Sequence, residues 1–318
     1  MKIVVLDRPL ERPGELDWSP LHALGDATIY DRTAPEDVIS RIGDAEIVLL
    51  NKAEVTEEAL RTCPSLRFIS VIGTGYNTVD VRAAAARGIP VANVPTYGSE
   101  AVGQHAIALL LEITNRVAHH DAEARKLRRT NDYDWCFWDY PIIELAHKTM
   151  GIVGLGRIGH TTAMAAKALG MRVIAYDLCP NPEFNDLVEY VPLDELYRQS
   201  DVICLHCPLF PENARMINRE SIAKMKDGVI FINNSRGGLV DEAALAEALH
   251  AGKIYAAGLD TVASEPIAAD NPLLSAPNVY MTPHISWAAL ECRRRLKDIA
   301  IENVRAFLRG EPQNIVNS

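Results

Sequence analysis

The chain has 318 residues, 48% hydrophobic and 23% charged, enough for two ordinary domains that each bury a core. A formal net charge of −10 with no Lys/Arg-rich block excludes the clustered basic face that grips a phosphate backbone, so no nucleic-acid partner is expected. No stretch approaches the roughly twenty apolar residues of a membrane span, and six scattered cysteines suit a reducing compartment better than a disulfide framework; the expectations are no membrane partner and a cytoplasmic location.

The opening segment MKIVVLDRPLERPGELD has an apolar run too short for a signal peptide and meets charges at once. Strand-like runs KIVVLD, TIYD, EIVLLN and RFISVIG then alternate with helical stretches such as APEDVISRI and DVRAAAARG, the latter closed by Gly88 as a C-cap. This alternation predicts a doubly wound α/β domain with a parallel sheet over residues 1–98.

From Ser99, read as an N-cap, EAVGQHAIALLLEITNRVAHHDAEARKLRR is expected to run as one long connecting helix. NDYDWCFWDYP follows, crowding Trp135, Phe137, Trp138 and two tyrosines among acidic neighbours. Base-stacking platforms want basic neighbours, so burial at a domain or subunit interface is the expectation.

A second series comprises TMGIVGLG, RVIAYD, DVICLHC, GVIFINNS, YAAGLD and VYMT, with helices RIGHTTAMAAKALG and DEAALAEALHAG between them. It predicts a second doubly wound domain, residues 99–291, with 99–146 as helix and arm. The closing amphipathic helix LECRRRLKDIAIENVRAFLRG has too little chain beyond it for a third domain. Residues 292–318 are therefore expected to pack back on the first domain. Cys204 and Cys207 in CLHC have Cys-x-x-Cys spacing, but on a strand positions three apart face opposite sides, and no second pair supplies zinc ligands. They read as core cysteines, and no metal is expected.

GIVGLGRIG carries Gly-x-Gly-x-x-Gly at Gly154, Gly156 and Gly159, after a strand and at a helix start, as a dinucleotide cradle requires. The first glycine permits the tight turn, the second lets backbone approach the pyrophosphate, and the third lets helix pack on strand. The free N–H groups of the helix start face the phosphates. About twenty residues on stands Asp177, where a carboxylate accepts from ribose hydroxyls and repels a 2′-phosphate, favouring NAD. The ordinary reading of Asp177 is a strand-end acid capping a turn, and its placement makes that the weaker one.

Three later stretches put polar groups at strand ends: Arg236 in INNSRGG, Asp260 and Glu265 in GLDTVASEP, and His284 in MTPHISW. Each alone has an ordinary reading as a turn salt bridge, a loop acid or a capping histidine. Together they suit reduction of a 2-oxo acid. Arginine grips a carboxylate and polarises the adjacent ketone, histidine delivers a proton, and a carboxylate beside it orients the ring and favours its charged form.

With GLGRIG then YD, NNSRGG, GLDTVASEP, PH and GTGYNTVD in order, the chain resembles the D-2-hydroxyacid dehydrogenase family over essentially its whole length. The resemblance implies a Rossmann-type cofactor domain and a flavodoxin-like substrate domain with the active site in the cleft between them. It implies that Arg236 binds substrate, Glu265 pairs with the histidine and His284 donates the proton. Arg157 and Ile158 would lie in the pyrophosphate turn, Asp177 at the ribose and Asp260 near the nicotinamide amide. His206, Cys207, Pro208, Asn234, Ser235 and Trp287 would line the cofactor with Arg236 and His284. The loop containing Gly73, Thr74, Gly75 and Tyr76 would offer N–H groups to the substrate carboxylate. A homodimer joined through the connecting helix and its arm is also implied.

TNR, FWDYPIIELA, CPLFPE and PHISWAA resemble the glycerate dehydrogenase or hydroxypyruvate reductase branch most. In many relatives a glycine follows the His-x pair, whereas here Ser286 and then Trp287 stand there; the bulky indole beside His284 would narrow the pocket, and His147 replaces a common glycine as a surface difference. Phosphoglycerate dehydrogenase is the same-class alternative, though no added basic groups for a substrate phosphate stand out. A corepressor-like dinucleotide-sensing protein is the alternative of another class, since fold alone does not decide.

Overall fold

The computed structural model describes residues 1–8, 14–128, 130–131 and 134–317; Arg129 and Tyr133, which belong to the expected long helix and to the aromatic segment, lie outside the described residues. The chain divides into two compact units, Met1–Gly98 with Ala288–Ser318, and Ser99–Trp287.

The first unit runs β1 (Lys2–Val5), α1 (Ser19–His22), β2 (Asp26–Ile29), α2 (Val38–Ile42), β3 (Ile47–Leu50), α3 (Glu57–Thr62), β4 (Phe68–Val71), α4 (Val81–Ala86) and β5 (Val91–Ala92). Its strands form one parallel sheet in the order β2-β1-β3-β4-β5, an order used by flavodoxin-like folds. β3 and β4 are apolar and buried at nearly every position, as parallel strands covered on both faces must be, whereas edge strand β2 is half exposed. Gly88 takes φ +67 just past α4 and its N–H bonds Ala85 O at 2.9 Å, the C-terminal role expected of it.

The second unit runs α5 (Ser99–Asn115), α6 (Val117–Ala124), β6 (Thr149–Val153), α7 (Arg157–Ala168), β7 (Arg172–Tyr176), β8 (Glu189–Tyr190), α8 (Leu193–Gln199), β9 (Val202–Leu205), α9 (Arg219–Lys224), β10 (Val229–Asn233), α10 (Glu242–His250), β11 (Ile254–Leu259) and β12 (Val279–Met281). All seven strands are parallel, in the order β12-β11-β10-β9-β6-β7-β8. Counted from β6, this is the doubly wound dinucleotide-binding order with one further strand at the end. Alternate residues feed cores on the two faces: Ile203, Leu205 and Phe231 on one, Val202, Cys204, Ile230 and Ile232 on the other. Cys204 is fully buried, while Cys207, beyond the strand end, is only half-buried.

The chain returns to the first unit at Ala288 rather than at residue 292, because α11 (Leu290–Leu308) goes with that sheet as a whole. Phe307 stacks on Phe68 of β4 at 4.5 Å between ring centroids, and the buried hydroxyl of Ser70 donates to Ala300 O at 3.2 Å.

The single long helix expected from Ser99 is corrected. It breaks at Arg116, whose backbone is left-handed at φ 51. The cause is tertiary. Arg116 is buried, its Nη2 donates to Asn278 Oδ1 at 3.0 Å, and its guanidinium lies 4.1 Å from the Tyr140 ring centroid and 5.2 Å from that of Tyr280. His147 is exposed and likewise left-handed at φ 66, which explains the frequent glycine there. Among the described residues no helix is long and apolar enough to cross a membrane.

Candidate active site

The glycine turn lies between β6 and α7. Gly154 is at φ +94, and a Cβ there would stand 2.5 Å from Cys207 N. A Cβ on Gly159 would stand 2.3 Å from Gly154 O, so these two positions admit no side chain. A Cβ on Gly156 meets nothing within 4 Å, which leaves open space at the start of α7. Among the described residues no side chain caps that helix, which leaves its first N–H groups for an anion. Arg157 is exposed and Ile158 half-buried beside it.

Asp177 follows β7 and uses both oxygens. Oδ2 accepts from Leu155 N at 2.7 Å, inside the glycine turn, and Oδ1 from Cys179 N at 2.8 Å. It therefore caps turns on two sides, and because each carboxylate oxygen has a second lone pair, capping and ribose binding are compatible. The open face at Gly156, the uncapped helix start and this carboxylate fit a dinucleotide.

His206 follows β9. Its Nε2 meets Thr162 Oγ1 at 2.9 Å and Cys204 Sγ at 3.2 Å, and the Thr162 hydroxyl donates to Ile158 O. The imidazole is therefore the donor to Thr162, and its Nδ1 is a buried acceptor with no partner among the described residues. Burial holds the ring neutral, pushing its pKa down to about 4. Cys207 thiol ionisation is pushed up to about 11 by burial, so it is inert. Ser235 Oγ donates to Cys207 O at 2.6 Å, which joins the loops after β9 and β10 ahead of Pro208.

After β10, Asn233 folds the turn that presents Arg236: its Oδ1 accepts from Ser235 N at 3.1 Å and its Nδ2 donates to Arg236 O at 3.0 Å. Asn234 donates to Val102 O at 2.8 Å, and its Oδ1 is buried without a partner among the described residues. Arg236 is exposed, donates only to its neighbour Ser235 O at 2.9 Å, and pairs with no carboxylate among the described residues. A Cβ on Gly237 would stand 1.9 Å from Val262 C, so the loop carrying Glu265 packs against the backbone next to Arg236.

His284 follows β12 in a left-handed conformation, φ 54. Its Nδ1 lies 2.7 Å from Glu265 Oε2, with the two side chains 37% and 39% exposed. Since a carboxylate only accepts, Nδ1 carries the proton and Nε2 is left for the ligand. Trp287 Nε1 donates to His284 O at 2.8 Å, so the indole braces the histidine's backbone. Asp260 is buried, accepting from Thr282 Oγ1 at 2.5 Å, Ile285 N at 2.8 Å and Ser286 N at 2.8 Å.

Two contributors escape sequence reasoning. Thr282 is one. The other is Glu242 on α10, which accepts from Ala263 N at 2.7 Å and Asn271 Nδ2 at 2.8 Å and so clamps the loop that bears Glu265. Gly73, Thr74, Gly75 and Tyr76 belong to the first unit, after β4. There Thr74 Oγ1 donates to Val94 O at 2.8 Å and Asn93 Nδ2 to Thr74 O at 2.8 Å.

Residues 107–286 match the family description "D-isomer specific 2-hydroxyacid dehydrogenase, NAD binding domain". The chain is 57% identical to a hydroxypyruvate reductase of Blautia hydrogenotrophica across 100% of both chains. It is 40% identical to a glycerate dehydrogenase of Methylorubrum extorquens, covering 91% of each. Among solved structures it resembles the D-lactate dehydrogenase of Aquifex aeolicus complexed with NAD and lactic acid, with a TM-score of 0.82 at 30% identity over 100% of this chain and 99% of that one.

Proposed function

Because the chain belongs to the D-isomer specific 2-hydroxyacid dehydrogenase family, we propose that it interconverts hydroxypyruvate, or a similarly small 2-oxo acid such as glyoxylate, with the corresponding 2-hydroxy acid, using NAD(H). The observation that carries the chemistry is the His284–Glu265 pair at 2.7 Å, in the same unit as an arginine with no carboxylate partner among the described residues. In the reduction, Arg236 holds the substrate carboxylate and polarises the neighbouring ketone. His284 Nε2 gives its proton to the ketone oxygen, while the Nδ1–H bond to Glu265 keeps the ring oriented. A nicotinamide held here would supply the hydride to the carbonyl carbon. Gly154, Gly156, Arg157, Ile158 and Gly159 would hold its pyrophosphate. Asp177 would meet the adenosine ribose. The Gly73–Tyr76 turn is assigned to the substrate carboxylate, and the braced Trp287 indole limits substrate size. NADH oxidation with a panel of 2-oxo acids tests the reading, and absence of turnover with hydroxypyruvate and glyoxylate overturns it.

Preference for NADH over NADPH is expected because Asp177 would meet a 2′-phosphate as a like charge. Asp177→Ser removes that repulsion, and the NADPH-to-NADH ratio of kcat/KM should rise at least about tenfold, equivalent to about 1.4 kcal/mol. It also removes one of the acceptors for Leu155 and Cys179, so the melting temperature should fall slightly. Equal efficiency with the two cofactors in the parent enzyme would refute the assignment.

Glu265→Gln keeps the shape beside His284 but removes the carboxylate that accepts from its Nδ1 at 2.7 Å. The variant should lower kcat for 2-oxo acid reduction by at least about tenfold with KM for NADH little changed, because the acid–base ring loses its charged partner. An unchanged kcat would leave Glu265 a structural acid.

The proposal includes a homodimer. Trp135 and Trp138 are 72% and 69% exposed on a segment that Asp139 ties to Arg128 through two bonds of 2.6 Å, and to His119 at 2.7 Å. Hydrogen bonds from Arg128, then His119, hold Asp139 down to about 2, so this tie persists across the working pH range. Such an anchored, exposed aromatic pair fits a partner surface. Light scattering at micromolar concentration should report the mass of two chains, and a single-chain mass would refute it.

A further inference from the structure

His105 lies on α5, remote in sequence from Arg236, Asp260, Glu265 and His284. Its side chain is 21% exposed, and its Nε2 stands 3.0 Å from Thr282 Oγ1 and 3.7 Å from Asp260 Oδ1. The direction of these bonds follows from proton count. The Asp260 carboxylate can only accept, so the single Thr282 hydroxyl proton goes to Oδ1, at 2.5 Å. The Thr282 oxygen then has only lone pairs to offer, and His105 Nε2–H must be the donor.

Beyond Asp260 the chain of bonds reaches the backbone amides of Ile285 and Ser286, each at 2.8 Å. Those amides follow His284, whose own N–H bonds Thr282 O at 2.9 Å and whose carbonyl accepts from Trp287 Nε1. A histidine at φ 54 is held in a conformation that non-glycine residues adopt only where their surroundings over-determine it. Here the surroundings are one relay from α5, through the end of β12, to the end of β11, and back to the turn.

We propose that His105 is a positioning residue for the acid–base histidine: through Thr282 and Asp260 it fixes the 282–287 turn and so aims His284. This rests on the reading of His284 as proton donor. It asks nothing of His105 in binding, so its loss should lower the rate of the chemical step and spare cofactor affinity. With His105 gone, the Thr282 hydroxyl keeps its acceptor but loses the donor that sets its rotamer, and the turn's polar tie to α5 falls back on Asn234, whose Nδ2 reaches Val102 O at 2.8 Å and Ser286 Oγ at 3.3 Å.

The test combines His105→Ala, His105→Gln, Thr282→Val and the double variant His105→Ala/Thr282→Val. His105→Ala should lower kcat for 2-oxo acid reduction by about tenfold with KM for NADH changed less than about twofold, since small misplacements of a reacting group are costly. His105→Gln, whose amide can still donate to Thr282, should recover most of that loss. The double variant should be no slower than Thr282→Val alone, the mark of residues acting in series. A His105→Ala enzyme within twofold of the parent kcat, losses that multiply in the double variant, or Gln no better than Ala would each overturn the proposal. NMR of the Ile285 and Ser286 amides gives a readout independent of turnover. Their signals should shift and broaden in His105→Ala, and unchanged signals would also overturn it. If the parent enzyme reduces no 2-oxo acid, the functional reading fails while the amide signals still decide the relay; if His105→Ala does not fold, His105→Gln against Thr282→Val decides it.

Discussion

His284→Gln should lower kcat/KM for 2-oxo acid reduction by about 10² to 10⁴, the range typical of losing a positioned acid–base group. The side chain has one proton path in each direction: Nδ1–H to Glu265 Oε2 at 2.7 Å and Nε2 to the substrate. Glutamine can imitate the hydrogen bond and cannot transfer the proton, so the loss should fall on kcat, with KM for NADH little affected. A variant retaining more than about a tenth of parental kcat/KM would mean that another group or solvent supplies the proton.

Arg236→Gln comes next in size. The guanidinium has only the neighbouring carbonyl of Ser235 for company among the described residues, so its charge is free for an anionic ligand. Each hydrogen bond to a charged group contributes about 1.5–3 kcal/mol, so losing a two-bond grip should lower kcat/KM by at least about 10². Both parameters should suffer, because on the proposed role the arginine would hold the carboxylate in the ground state and polarise the ketone as negative charge grows on it. Arg236→Lys should recover only part, since a point charge does not present the flat two-donor edge. Unchanged KM for the oxo acid would remove Arg236 from substrate binding.

Much of the site is legible in the sequence where its logic is local. Gly154, Gly156 and Gly159 recur in the structure as blocked or open Cβ positions, Gly159 blocked by Gly154 O of the same turn, whereas what blocks Gly154 is the distant Cys207 backbone. The two-faced strands announce themselves as apolar runs because their neighbours lie on both sides. What escapes is set by distant partners. Asp260 could be found at a strand end, but its bonds to Thr282, Ile285 and Ser286 span 22 to 26 residues and have no periodic trace. Glu242 reads as an ordinary first-turn helix acid, and only the folded loop shows it holding Ala263. The break at Arg116 is invisible for the same reason: helical periodicity continues across it, and the residues that force it, Asn278, Tyr140 and Tyr280, come later in the chain. β5 and β8, two residues each, are too short to carry a pattern.

The strand order of the second unit bears on how such an enzyme can change. Asp177 follows β7, whereas Arg236, Asp260 and His284 follow β10, β11 and β12, with β6 and β9 in between. Three strand spacings separate β7 from β10, about 14 Å at roughly 4.8 Å each. Substitutions that far apart with no shared partner act independently to within a few tenths of a kcal/mol. On the roles proposed for Asp177 and His284, cofactor choice and acid–base chemistry are thus separable traits, so a lineage could exchange one dinucleotide for the other by drift at the end of β7 without retuning the histidine.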